Sequence, residues 1–265
     1  MIRKAMRRLL DSAVGRYGYE IRPRSHVSLG AESSVMALAA HLRKLFEAVK
    51  IGTVIDVGAN QGQYRDFLRD HVGFRGTIIS FEPIPDLAEA LVERARSDEG
   101  WRVYPYALGS TAAILPLHIS ERSGWSSLLE KESSPRTEVA DSVQVTRSVD
   151  VKVAALDQVL STEEPGILET GVYLKIDAQG YDLEVLRGAA QSLPFIPALQ
   201  SELELVPVYA NAPPFLRVIE FLLDEGFEIT GVFPVWRDRL MRIGEMDTVF
   251  RRTRDHDGTE GRRRA

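Results

Sequence analysis

The stretch Asp56-Val57-Gly58-Ala59-Asn60-Gln61-Gly62 decides the fold: it closes the short β-branched run 53–57 and opens onto an amphipathic segment at 63–71. Such a run ending in glycines reads as a buried strand entering a tight turn, and the helix after it presents unpaired N–H groups to a ligand. Working outward, the same strand signature recurs at 77–81, 101–106, 172–176 and 198–205. Helical periodicity recurs at 35–50, 87–96, 181–188 and 215–225. In the first of these helices Leu38, Leu42, Leu45, Phe46 and Val49 share a face, Ser33 or Ser34 caps the start and Gly52 ends it. Alternating β and α with short connections predicts an α/β fold, a parallel sheet with helices on both faces. Runs 114–119 and 143–153 read as strands around a polar segment, 120–137, whose length suits a lid over a site. Runs 227–233 and 247–251 are expected to pair antiparallel at the sheet edge.

Composition bounds the chemistry. The 265 residues are 44% hydrophobic and 27% charged, inside the globular range, and the absence of cysteine excludes disulfides, thiolate metal sites and a thiol nucleophile. No apolar run is long enough to span a bilayer and the basic N-terminus lacks a secretory pattern, so a cytoplasmic protein is expected. The net charge of −5 conceals an asymmetry: residues 1–24 hold seven Lys/Arg against two acids and 251–265 six against three, leaving 20 basic and 33 acidic side chains between them. A body this acidic repels nucleic acid. Arg3, Lys4, Arg7 and Arg8, interspersed with Ile2, Met6, Leu9 and Leu10, suit a peripheral contact with the anionic inner face of a membrane, the plainer alternative being a solvated helix. The expected organisation is an N-terminal helical segment packed on or flanking the core (1–50), a catalytic domain (51–252) and a disordered tail (253–265).

A glycine-rich turn alone does not choose a ligand. The dinucleotide fingerprint G-x-G-x-x-G fails here, because Asn60 and Gln63 stand two and five positions after Gly58. Asp56 places a carboxylate beside the turn, where a pyrophosphate is repelled and the sulfonium and ammonium of S-adenosyl-L-methionine are attracted. Glu82, 26 positions later at the end of the second strand, stands where an acid holds ribose hydroxyls in nucleotide-binding βαβ units. The plainer readings are a turn aspartate and a cap for the helix beginning near Pro85.

Several stretches together resemble the FkbM-type S-adenosylmethionine-dependent methyltransferases: VIDVGANQGQY at 54–64, FEP at 81–83, ALG at 107–109, SSL at 126–128, LKIDAQGYDLEVLRGA at 174–189, SELELVPVY at 201–209 and GF at 226–227. The resemblance runs from about residue 50 to 251. It implies the class I methyltransferase Rossmann-like fold, with a seven-stranded, mostly parallel sheet whose last strand is antiparallel. It also implies O-methylation of a hydroxyl on a sugar, glycolipid or polyketide-type acceptor. With Asp56, Gly58 and Glu82, the residues matched to cofactor binding are Asn60, Gly62, Tyr64, Pro83, Ala107, Leu108 and Asp177. The chain departs from the family's pattern at Asp182, where Glu is usual, and at Glu204, where a small polar residue is commoner.

Asp177 falls at the C-terminal end of a buried strand, outside which ligands bind in open α/β sheets. It is the expected general base, with Glu202 beside it and His118, at the end of a strand near the lid, as a third candidate. Asp177 and Glu202 would also serve a divalent cation such as Mg²⁺ if one were bound. Gln179, Tyr181 and Glu204 are expected on the acceptor side, as are Trp125, Ser126 and Ser127 from the lid, the indole offering a face to a sugar ring. Two other classes compete: a nicotinamide-dependent oxidoreductase on a similar sheet, and a non-catalytic binding module of a glycolipid assembly.

Overall fold

The computed structural model describes residues 31–132 and 143–253. The expectations about segment 1–24, the tail beyond 253 and lid residues 133–137 therefore lie outside the described residues. A central sheet of seven strands runs in the order β3 (Trp101–Tyr104), β2 (Thr77–Phe81), β1 (Thr53–Val57), β7 (Val172–Ile176), β8 (Ala198–Glu204), β10 (Ile243–Arg252), β9 (Phe227–Arg237). The first five are parallel, and β10 is antiparallel to both its neighbours. Strand β10 is the last in sequence yet lies inside the sheet, with β9 at the edge. This is the seven-stranded class I methyltransferase sheet.

The fully buried strands β1 and β7 adjoin at its centre. The chain leaves β1 toward β2 on one side and returns to β7 on the other, so their carboxyl ends form the switch point where a crevice opens. Alternation then sorts side chains between the faces. Val54 and Ile78 meet Leu38, Leu42, Leu45 and Phe46 of α1 (Ala31–Val49) on one face, together with Leu68 and Leu91 from the segments after β1 and β2. Ile55, Ile79 and Leu174 meet Leu156 and Val159 of α4 (Leu156–Thr162), Val185 of α5 (Asp182–Arg187) and Leu222 of α6 (Phe215–Asp224) on the other. Each such buried aliphatic side chain is worth about 1.5–3 kcal/mol.

The helix α4 and the short strand Ala107–Leu108 were not foreseen, and two further features depart from the expectations. The helix expected at 63–71 is α2 (Gln63–Phe67) followed by a widened turn over Leu68–Val72, which carries the buried Arg69 inward to donate to the Phe74 and Gly76 carbonyls and to Asp98. The helix α3 (Pro85–Ala95) follows β2. The strands around the polar segment, β5 (Ala113–Ser120) and β6 (Val145–Ala154), join β4 (Ala107–Leu108) in a separate three-stranded sheet. That sheet and the turn after β5 contribute walls to the crevice.

Candidate active site

The site begins at the turn after β1. Gly58 has φ +79°, and a Cβ there would lie 2.0 Å from the Asp177 carbonyl oxygen, so only glycine lets the ends of β1 and β7 touch. The Gly58 and Ala59 N–H groups donate to the Phe81 carbonyl at 3.1 and 3.0 Å, tying the turn to the end of β2. Asn60 adopts φ +49°, and its N–H donates to Glu82 Oε2 at 2.6 Å, while the Ile84 N–H donates to Oε1 at 2.7 Å. Glu82 is thus fixed by two main-chain donors. Burial pushes its carboxyl up to about 7, against the lowering effect of those donors.

Glu82 lines a first cavity whose other walls are largely apolar: Phe81, Ile84, Leu108, Leu117 and Leu128. Gly58, Asn60, Pro83, Ala107 and Asp177 line it too. Ser126 and Ser127, expected on the acceptor side, line this cavity instead, because the turn after β5 folds over it. Ser127 Oγ donates to the Gln179 carbonyl at 2.7 Å, and Ser123 Oγ donates to Asn60 Oδ1 at 2.7 Å, stitching the turn to the rims of β1 and β7.

A second cavity of about 550 Å³ adjoins the first and shares Gly58, Asn60, Gly124, Asp177 and Gln179 with it. Tyr64 and Trp125 line this one, Tyr64 therefore lying away from the Glu82 side, and Glu202 faces it from β8. Asp177 stands at the junction, half-buried. Gln179 Nε2 bridges its Oδ1 at 2.9 Å and Glu202 Oε2 at 3.0 Å. Gln179, at φ +49°, is itself held by Tyr209, whose hydroxyl lies 2.8 Å from Gln179 Oε1 and 2.9 Å from the Trp125 carbonyl and donates to one of them at a time.

Beneath Asp177 lies Lys175, its Nζ 3.4 Å from Asp177 Oδ2 and 3.2 Å from Asp56 Oδ1. Burial alone would discharge Lys175, but Asp56, Asp177 and Glu202 outweigh it and raise its affinity for the proton. Asp56 is wholly buried, accepts from Ser80 Oγ at 3.2 Å and lines neither cavity. The expected direct attraction of a sulfonium to Asp56 is thereby corrected: register sets Asp56 beside Lys175, and the two charges answer each other.

Four other expected site residues fall elsewhere. Leu117 faces the first cavity, so His118, next along β5, points to the other face, where Nδ1 lies 2.9 Å from Ser148 Oγ. Gly62 serves packing, since a Cβ there would press within 3.0 Å of Leu91 and 2.8 Å of Arg94. Tyr181 is carried past the junction by the turn at Gly180 (φ +84°) and packs near Gly109. Glu204 lines a separate cavity around Pro207 and Pro214. Among the described residues no three His, Asp or Glu side chains converge as metal ligands, so the divalent cation that Asp177 and Glu202 were to serve if one were bound finds no support.

Residues that sequence reasoning passed over complete the second cavity: Gln200, Trp236, Glu245 and Asp247. The alternation Glu245-x-Asp247, opposite Glu202 and Glu204 in the antiparallel register, was the available signal. Burial raises the carboxyls of Glu245 to about 8, Asp247 to about 6 and Asp182 to about 7, with neighbouring acids adding to the effect. Each binds its proton more tightly folded than unfolded, so this contribution to stability is complete below the ordinary carboxylate range and is lost as pH rises through these values. The thermal midpoint of the ligand-free protein is therefore expected to fall between about pH 5 and about pH 8. A midpoint that holds or climbs over that interval would contradict the arrangement.

A sequence profile described as the methyltransferase FkbM domain matches residues 56–229. No curated protein matches the chain. Among solved structures, a methyltransferase FkbM from Methylobacillus flagellatus KT is 15% identical with a TM-score of 0.48, covering 75% of this chain and 43% of its own. This chain thus spans under half the length of that protein. Aeropyrum pernix fibrillarin, crystallised with natively bound S-adenosyl-L-methionine, is 16% identical with a TM-score of 0.44, covering 82% of this chain and 76% of its own. An rRNA methylase from Streptococcus thermophilus is 10% identical with a TM-score of 0.42, covering 88% of this chain and 99% of its own. With two thirds of its length matched by one family's profile and the strand order of the class I methyltransferases, the chain belongs to the FkbM methyltransferase family.

Proposed function

We propose that this protein is an S-adenosyl-L-methionine-dependent O-methyltransferase acting on a hydroxyl of a sugar, glycolipid or polyketide-type small molecule. The observation that carries this reading is the position of Asp177 on the shared wall of two adjoining cavities, one lined by Glu82 among apolar side chains and the other by polar and aromatic groups. The lining of the first suits the donor: apolar side chains for an adenine, with Glu82 oriented by two main-chain N–H groups and retaining lone pairs for a ribose diol. Gly58, Asn60, Pro83, Ala107 and Leu108 would hold the rest. Bound there, S-adenosylmethionine supplies an electrophilic methyl carried on a positively charged sulfur.

The chain's own residues then have to align, exclude water and move one proton. Asp177 accepts the hydroxyl proton. Gln179 fixes the orientation of Asp177 and Glu202 through its amide, and Lys175 lies beneath them with its Nζ 3.4 Å from Asp177 Oδ2. The turn Ser123–Ser127 roofs the junction, with Ser127 latched to Gln179.

The test is binding and transfer together. S-adenosylhomocysteine is expected to bind and NADH not to, with methyl transfer from labelled donor detected on an oxygen of a hydroxylated acceptor. Tight NADH binding without S-adenosylhomocysteine binding would favour the oxidoreductase class instead. Glu82→Ala is expected to weaken S-adenosylhomocysteine binding by about 1.5–3 kcal/mol, roughly ten- to hundredfold, the worth of hydrogen bonds to a charged group. Unchanged affinity by calorimetry would remove Glu82 from the donor site. The basic N-terminal segment is proposed as a peripheral membrane contact at the inner face of a membrane, testable by vesicle flotation with and without residues 1–24; among the described residues no helix is long and apolar enough to cross a membrane.

A further inference from the structure

The second cavity holds more acidic side chains than transfer to a plain hydroxyl calls for. Antiparallel register sets Glu202 opposite Asp247 and Glu204 opposite Glu245, so these acids share one face of the β8–β10 pair. Glu202, Asp247 and Glu245 line the cavity, and among the described residues Lys175 is the one basic side chain that lines it. That cation is already engaged, lying 3.2 Å from Asp56 and 3.4 Å from Asp177. Glu202 Oε2 receives the Gln179 amide at 3.0 Å, and Asp247 Oδ1 receives the Gln200 amide at 2.7 Å. Glu245 is different. It is 4% exposed, and its Oε1 has no hydrogen-bond partner. The indole N–H of Trp236, its neighbour, is likewise buried without a partner. A buried carboxyl oxygen without a donor is destabilising on its own, and a ligand that supplied positive charge would draw out its carboxylate form and relieve it.

Aromatic faces complete the wall. Tyr64 and Phe67 come from α2 and Trp125 from the roof. Trp236 comes from β9 and packs against Gly244, where a Cβ would lie 1.9 Å from the indole. Glycine at 244 is what makes room for that ring. Carboxylates combined with aromatic faces are the chemistry that recognises an ammonium group.

We propose that this cavity takes an acceptor bearing an ammonium group, held by Glu245, Asp247 and Glu202 against the Trp236 and Tyr64 rings, while a hydroxyl of the same molecule meets Asp177. The proposal rests on the methyltransferase reading above and names the acceptor's chemical class. A protonated or quaternary nitrogen has no lone pair and so cannot receive the methyl. The charge orients the molecule and the hydroxyl reacts, its oxygen forming the bond to the methyl carbon as that carbon's bond to sulfur breaks, the bonding pair going to sulfur and the hydroxyl proton to Asp177.

The test is calorimetric titration of the S-adenosylhomocysteine-saturated protein with ethanolamine and choline, beside their neutral counterparts ethylene glycol and 3,3-dimethylbutan-1-ol. The cations are expected to bind about tenfold or more tightly than the matched neutral alcohols. Glu245→Gln should erase most of that preference, its S-adenosylhomocysteine affinity reporting that it has folded, and Asp247→Asn is the second variant with the same expectation. The proposal is overturned if the neutral alcohols bind as well as the cations, if none of the four binds, or if both variants keep the preference. Failure of S-adenosylhomocysteine itself to bind, read in a separate titration, would overturn the methyltransferase reading and this inference with it.

Discussion

Asp177→Asn is expected to lower kcat about 10²–10⁴-fold, the range a positioned general base contributes, with little change in S-adenosylhomocysteine affinity or thermal midpoint. The substitution is nearly isosteric and leaves the surroundings paired. Gln179 Nε2 keeps an amide oxygen to bond, and Lys175 keeps Asp56 at 3.2 Å. What is removed is the acceptor for the hydroxyl proton at the junction of the two cavities. Glu202 is bridged to Asp177 through Gln179, and burial, then Asp177 and its other acidic neighbours, holds its carboxyl well above the ordinary range. It is therefore the poorer proton acceptor, and Glu202→Gln is expected to slow turnover less than Asp177→Asn does. Single-turnover rates with a turned-over acceptor decide the matter. If Asp177→Asn transfers methyl at close to the wild-type rate, the proton leaves by another route and the assigned role is wrong.

The largest effect on stability is expected at Lys175. Its side chain is 7% exposed and is shared by Asp56, wholly buried, and Asp177. Lys175→Met keeps the volume of the stem but leaves Asp56 as an uncompensated charge in the centre of the sheet, its described hydrogen-bond donor being Ser80 Oγ. Breaking a buried pair by removing one partner destabilises by about 3–5 kcal/mol, a fall in midpoint on the order of 10 °C for a domain of this size. The ring of Tyr64, 5.2 Å from Lys175 Nζ, would lose its cation as well. Replacing both partners, Lys175→Met with Asp56→Leu, is expected to recover most of the loss, because a buried pair exchanged for apolar side chains of similar volume is often neutral. Thermal unfolding followed by circular dichroism checks both variants. A single variant as stable as the wild type, or a double variant no better than the single, would show that the pair does not hold the centre of the sheet.

How far the site was legible follows from the range of the interactions that build it. The strand β1, its glycine turn, the strand β7 and the acid at the end of β2 are local matters: hydrophobic run length, turn chemistry and position at a strand end are all properties of a few consecutive residues. The placement of Asp177 at the crevice followed from its position at a strand's carboxyl end, and the structure puts it there. His118 failed for an equally local reason. Its position near a lid said nothing of which face of β5 it would occupy, and that depended on how β5 pairs with β6 in a second sheet that the pattern of runs did not separate from the first.

The sequence by itself therefore determined most of the order of strands and helices, the turn at Gly58 and the residue types available for chemistry at the strand ends, because each depends on backbone preferences and burial within one short segment. Only the tertiary structure decided which charges meet. Parallel register between β1 and β7 turned Asp56 from a ligand contact into the partner of Lys175, and antiparallel register between β8 and β10 gathered Glu202, Glu245 and Asp247 at one cavity. Coulombic and hydrogen-bond partners are set by distance in space, and residues dozens to more than a hundred positions apart become neighbours only when the sheet closes between them.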